Sequence, residues 1–184
     1  MIQMIDYQVL IPPIDKEIRT LSETEAKQYF DWYVKQCSVR SVYLLQKAGV
    51  VSGAYDRIVY TPDSLKKIWA WFQRIAAVGK DKDGEKKLTL LTEYIIRDVG
   101  MYLGETLTHN FSSLSWGYFT KPRNDFFVNT PGIMGFCDKQ FAPPFPLFFE
   151  PIHMTGVQAA KILDGTGKKN DLYHLYMKWS DKVP

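Results

Sequence analysis

Apolar residues recur at three- and four-residue steps through several stretches of the chain, and the stretch from Leu88 to Leu107 organises the others. There Leu88, Leu91, Ile95, Val99, Tyr102 and Leu103 share one broad helix face, widened by Ile96 and Leu107. Gly100 and Gly104 stand four apart inside this helix, and each costs roughly 1 kcal/mol relative to Ala in a helix interior. The pattern therefore predicts that another element lies close against the glycine notch. Trp116, which follows a break from His109 to Ser115, is the natural residue to fill it.

Upstream, Ser22 with Glu25 forms a capping-box signature, and Tyr29, Phe30, Tyr33, Val34, Cys37, Leu44 and Leu45 keep helical spacing until Gly49. Thr61-Pro62 announces a second helix, with Leu65, Ile68, Trp69, Phe72, Ile75 and Ala76 on one face and Gly79 placed to end it. Tyr7 to Ile11, stopped by Pro12 and Pro13, reads as an edge strand or a strap against the body. Between the first two helices the period is lost, with a turn at Ser52–Gly53 and a short strand at Arg57 to Tyr60.

After the long helix the character of the chain changes. Short aromatic and β-branched runs at Trp116 to Phe119, Asp125 to Asn129 and Gly132 to Phe136, separated by turn residues, predict a small antiparallel sheet of three strands. Phe141 to Pro151 carries four Phe and four Pro, which excludes a central strand and disfavours helix. It is either a loop that offers aromatics to a partner, with Phe141, Phe145 and Phe148 as contacts, or a rigid strap whose rings plug the core. Thr155 to Leu163 and Asp171 to Trp179 are predicted helices flanking an Asp164-Gly-Thr-Gly loop. The fold class is α+β: N-terminal helices over about 1–110, then a small antiparallel sheet and C-terminal helices over about 111–184, in one domain.

Composition narrows the classes. A chain of 184 residues can remove about 70% of its unfolded surface from water, and 46% hydrophobic against 23% charged residues excludes disorder. The net charge is only +3, and the basic run Lys80 to Lys87 is interleaved with Asp81, Asp83 and Glu85, so it reads as an exposed linker rather than a nucleic-acid surface. Cys37 and Cys137 stand far apart without Cys/His clustering, which excludes the usual zinc frameworks and a disulfide scaffold. The N-terminal MIQMIDYQVLIPP lacks the features of a signal peptide, and no apolar run reaches bilayer length, so a cytoplasmic location with no membrane role is the default expectation.

Motifs for cofactors and common chemistries are missing. Gly165-Thr-Gly-Lys-Lys lacks the earlier Gly of a phosphate loop, with Ile162 in its place, and has Asn170 where a magnesium-binding Ser or Thr would be expected nearby. Nucleophilic catalysis by Cys37 or Cys137 with His109, His153 or His174 needs a geometry that sequence does not supply. The cluster with chemical content is Asp98, Glu105 and His109, which fall in line on one face of the long helix. Two carboxylates and an imidazole at that spacing could share a proton or a cation. Equally, Asp98 could pair with a Lys or Arg, Glu105 could accept from a backbone or tyrosine donor, and His109 could suit the helix C-terminus.

Two segments, Tyr60-Thr-Pro-Asp-Ser-Leu-Lys-Lys-Ile-Trp-Ala-Trp-Phe and Val99-Gly-Met-Tyr-Leu-Gly-Glu followed by Trp116-Gly, resemble a recurring unit of small bacterial cytoplasmic proteins of unknown function. Some of these look like the immunity partners of secreted toxins. The resemblance covers Tyr60 to Phe136 and implies a capped helix and a helix packed on a Trp strand, with no catalytic residues. The leading expectation is a non-enzymatic binding protein that neutralises or regulates a protein partner, with Trp116, Phe141, Phe145 and Phe148 as candidate binding residues, no cofactor and no nucleic acid. The alternative is a small hydrolase or metal-dependent enzyme using Asp98, Glu105 and His109.

Overall fold

The structure, a computed structural model, describes residues 6–51 and 60–184. The turn expected at Ser52–Gly53 and the strand expected from Arg57 lie outside the described residues. Helix α1 (Glu23–Lys47) starts at the capping box, with Ser22 accepting from the Glu25 amide and Glu25 accepting from the Ser22 amide at 2.9 Å. Thr61 caps helix α2 (Pro62–Ile75), where Pro62 occupies a first-turn position that needs no N–H.

Helix α2 ends earlier than Gly79, and the supposed charged linker is a hairpin. Ala76 leaves helical conformation, and strand β1 (Val78–Lys80) pairs antiparallel with β2 (Lys86–Leu88), Val78 opposite Leu88. The cause is local. Asp81 Oδ1 accepts the amides of Asp83 and Glu85 at 2.9 Å each, and Gly84 supplies a φ of +85°, so the charges of this run close a turn instead of leaving it open.

Helix α3 (Leu90–Asn110), capped by Thr89, continues past His109, and every residue from Asp98 to Leu107 is buried. Such all-round burial follows from its apolar faces being covered by α1, α2 and helix α4 (Pro151–Ala160), while helix α5 (Asp171–Ser180) packs on α2. The glycine notch is filled from two sides. A Cβ on Gly104 would stand 2.3 Å from the Trp116 ring, and one on Gly100 would stand 2.7 Å from the Ile152 backbone at the start of α4. Trp116 is fixed in place by donating Nε1–H to Glu105 Oε1 at 2.8 Å.

The sheet has three antiparallel strands in the order β3 (Ser115–Gly117), β4 (Gly132–Asp138), β5 (Phe145–Phe149), with Trp116 opposite Ile133 and Ile133 opposite Phe149. Its membership differs from the sequence reading. Asp125 to Asn129 is a run of turns, because Asp125 Oδ1 accepts the Phe127 amide at 2.7 Å and Asn129 sits at φ +64°. The third strand comes instead from the Phe/Pro-rich segment. Pro146 is tolerated there because β5 lies at the sheet edge. Tyr7 to Ile11 crosses the body as a strap with no strand pairing among the described residues, Tyr7 is buried, and α4 begins at Pro151, before the expected Thr155. The α+β class stands, and among the described residues no helix is long and apolar enough to cross a membrane.

The notch makes a direct prediction. Gly100→Ala is expected to destabilise by about 1–3 kcal/mol, because the new methyl meets the Ile152 backbone rather than a movable side-chain tip. Gly156→Ala in α4, where nothing among the described residues lies within 4 Å of the new methyl, is expected to stabilise by up to about 1 kcal/mol. Urea denaturation of the two variants checks the contrast.

Candidate functional site

Asp98 is 1% exposed, and its Oδ2 accepts from the Tyr7 hydroxyl at 2.6 Å, from Arg40 Nε at 3.1 Å and from Arg40 Nη2. Arg40 also donates to Gln8 O at 2.7 Å, and its guanidinium lies 4.4 Å from the Tyr43 ring centre. Burial pushes the Asp98 carboxyl above its ordinary value while Arg40 and Tyr7 pull it back down. Burial, reinforced by Asp98, sends the Tyr7 phenol up. These groups clamp the N-terminal strap onto α1 and α3.

Glu105 faces a different neighbour, Trp116, and His109 Nδ1 lies 2.8 Å from the Glu105 carbonyl oxygen with its ring stacked 4.0 Å from Tyr60. Burial, and then Glu105, push the Tyr60 phenol up to about 12. Asp98 is thus turned to the strap and α1, and Glu105 to β3. Among the described residues no three His, Cys, Asp or Glu side chains are grouped to hold a metal ion. Cys37 is fully buried, donates to Tyr33 O at 3.3 Å, and has its thiol pushed up by burial, which is the environment of an inert thiol.

The aromatic segment divides by position. Phe149 is buried and Phe148 half-buried, facing Phe119 and Phe127 at 5.0 and 6.1 Å, while Phe141 and Phe145 are exposed and 6.2 Å apart. Trp116 is half-buried in the notch.

A cleft of about 600 Å³ opens elsewhere, between the strap from Pro12 to Arg19, α1, α3, the loop over 126–131 and the first turn of α4. Ile14, Ile18, Phe126, Phe127, Pro131 and Ile152 give it apolar walls, and Tyr29, Tyr33, Arg97, Glu150 and His153 bring polar groups to them. Its outer wall is built by Asn129. From its left-handed conformation, this buried side chain donates Nδ2–H to Ile18 O at 3.1 Å and to Leu21 O at 2.9 Å, while Arg123 donates to Leu21 O at 3.0 Å. The outer loop and the short 3-10 turn Ile18–Thr20 are thereby tied into one wall.

Glu150 caps α4 by accepting the His153 amide on Oε2 and is 5% exposed. Burial pushes its carboxyl up to about 7, against the pull of the His153 and Ile152 amides. Tyr33, 1% exposed and at the same cleft, has a hydroxyl with no hydrogen-bond partner among the described residues, and burial holds its phenol well above the ordinary value. Burial likewise pushes Tyr29 up to about 12. A carboxyl poised near neutrality among apolar walls can exchange a proton or hold a cation.

None of the cleft residues was singled out by sequence, apart from His153 as an unspecific histidine. The one local signal is Glu150-Pro151 at a helix start, since Glu is not a favoured N-cap and its presence there asks for a reason beyond capping.

The Glu150 carboxyl links stability to pH. Its pKa rises from 4.5 unfolded to about 7 folded, so the folded chain binds the proton more tightly and stability falls as pH climbs through that window. The full cost, about 3 kcal/mol, is reached above the folded value. Glu150→Gln, which keeps an acceptor for the cap, is expected to remove this part of the slope. Denaturation midpoints of both proteins across the window measure the difference. No family model, no curated protein and no solved structure matches the chain, so its function rests on this geometry.

Proposed function

We propose that the chain is a non-enzymatic binding protein that holds a protein partner against the cleft, neutralising or regulating it in the manner of a bacterial cytoplasmic immunity protein. The observation that carries this reading is Phe126, 62% exposed at a cleft that it helps to line. Ile11, next to Pro12 of the cleft wall, is 70% exposed, so apolar surface continues beyond the rim. A pocket for a metabolite encloses most of its ligand, whereas an open cleft with an aromatic lip suits a larger partner with a protruding anchor. The resemblance of Tyr60 to Phe136 to small proteins, some of which look like immunity partners, agrees with this reading.

The alternative, a small hydrolase or metal-dependent enzyme on Asp98, Glu105 and His109, is the weaker reading. Arg40 and Tyr7 engage Asp98, and Trp116 engages Glu105.

A photo-reactive phenylalanine analogue at position 126 is expected to cross-link one stoichiometric protein from the native cell. The purified pair is then expected to bind at least about ten-fold more weakly when Phe126 is changed to Ala, as for an aromatic anchor. Met177→Ala, at an exposed position on α5, is expected to leave the affinity unchanged. Equal affinity for all three proteins would refute the cleft as the docking face.

A further inference from the structure

The cleft contains a buried carboxylate without a counter-charge and a buried hydroxyl without a partner among the described residues, and they point to the chemistry of its occupant. Glu150, 95% buried by its exposure of 5%, receives backbone amides but has no cation within ion-pair distance among the described residues. Buried carboxylates are normally paired, because an ionised group stripped of water costs several kcal/mol unless a counter-charge or further donors replace the water. Capping alone does not account for it, since Asp or Ser would cap α4 without carrying a longer carboxyl into the cleft. Independently, the Tyr33 hydroxyl is buried at the same cleft without a partner among the described residues.

The cations of the lining are engaged or turned elsewhere. Lys16 pairs with Glu25 at 2.6 Å and Arg19 lies 3.8 Å from Glu17. Arg97 donates Nη1–H to Leu10 O at 3.0 Å, and its charge is felt by Tyr29, Tyr33 and Asp98. Its remaining N–H groups are suited to a carbonyl oxygen.

Building on the partner-binding reading, we infer that the occupant is a peptide segment whose lysine or arginine side chain enters the cleft and pairs with the Glu150 carboxylate. Tyr33 Oη supplies a second polar contact, Arg97 meets a peptide carbonyl, and Phe126, Phe127 and Ile152 pack on the aliphatic stem. A cation there returns to Glu150 the stabilisation that burial removes. The aromatic walls suit a guanidinium as well as an alkyl chain.

The test uses the full chain, isotope-labelled, titrated with acetyl-Gly-Arg-Gly-amide and with the same peptide carrying citrulline, a neutral isostere of arginine. The arginine peptide is expected to shift the signals of Tyr33 and Ile152 and to bind at least about ten-fold more tightly than the citrulline peptide, the scale of one charge-assisted hydrogen bond. Glu150→Gln is expected to erase that preference. Tyr33→Phe, which removes only the hydroxyl, is expected to weaken both peptides alike. Equal affinity for the two peptides, no saturable shift with either, or an arginine preference that survives in Glu150→Gln would overturn the inference. If that happens while Phe126→Ala still loosens the partner complex, the cationic anchor falls and the docking face stands.

Discussion

Helix α3 presents no side chain at Gly100 and Gly104, and two other elements occupy the space that those side chains would take. Trp116 enters beside Gly104 and the backbone of Ile152 lies over Gly100. Each glycine weakens the helix by roughly 1 kcal/mol, a loss offset by close packing of an indole and a helix start that no larger residue would permit. The consequences run outward. Trp116 sets the position of β3, and β3 sets the register of the sheet through its pairing with Ile133. Ile152, held at the notch, also lines the cleft, so the first turn of α4 and its cap Glu150 reach the cleft because α3 lets them approach.

The other wall of the cleft depends on charge rather than on close approach. Asp98 holds Tyr7 and Arg40, Arg40 holds the Gln8 carbonyl, and Arg97 holds the Leu10 carbonyl, so the N-terminal strap is tied down just before it reaches Pro12 and Ile14. A buried pair of this kind adds little net stability over an apolar equivalent, yet removing one partner is costly, which makes it a device for fixing position. Asn129 completes the arrangement by donating to the Ile18 and Leu21 carbonyls at the end of the strap. The residues of the strap, one helix start and one loop therefore meet at a place that no single element defines.

That dispersion explains what the sequence could and could not reveal. The helix starts at Ser22 and Thr61, the buried faces and the notch filled by Trp116 are local or periodic signals, and they were legible. The Lys80–Lys87 hairpin was hidden because its turn is made by an aspartate side chain within a run that balances its own charges. Asp125 to Asn129 has strand-like composition, but Asp125 and Asn129 bend it through side-chain and left-handed backbone geometry that composition does not register. Among the polar residues, Asp98, Glu105 and His109 stand out because helical spacing lines them up on one face of a single element. The cleft draws Tyr33, Arg97, Phe126 and Glu150 from four separated segments, and only packing brings them together.

The most direct test of this account is a double-mutant cycle between Gly104 and Trp116, read by urea denaturation. Gly104→Ala alone is expected to destabilise by about 1–3 kcal/mol, since its methyl would meet the ring atoms of Trp116. In a Trp116→Phe background those atoms are gone, and the same change is expected to be neutral or stabilising by up to about 1 kcal/mol through helix propensity. An equal cost in both backgrounds would contradict the claim that the glycine notch of α3 exists to seat the indole.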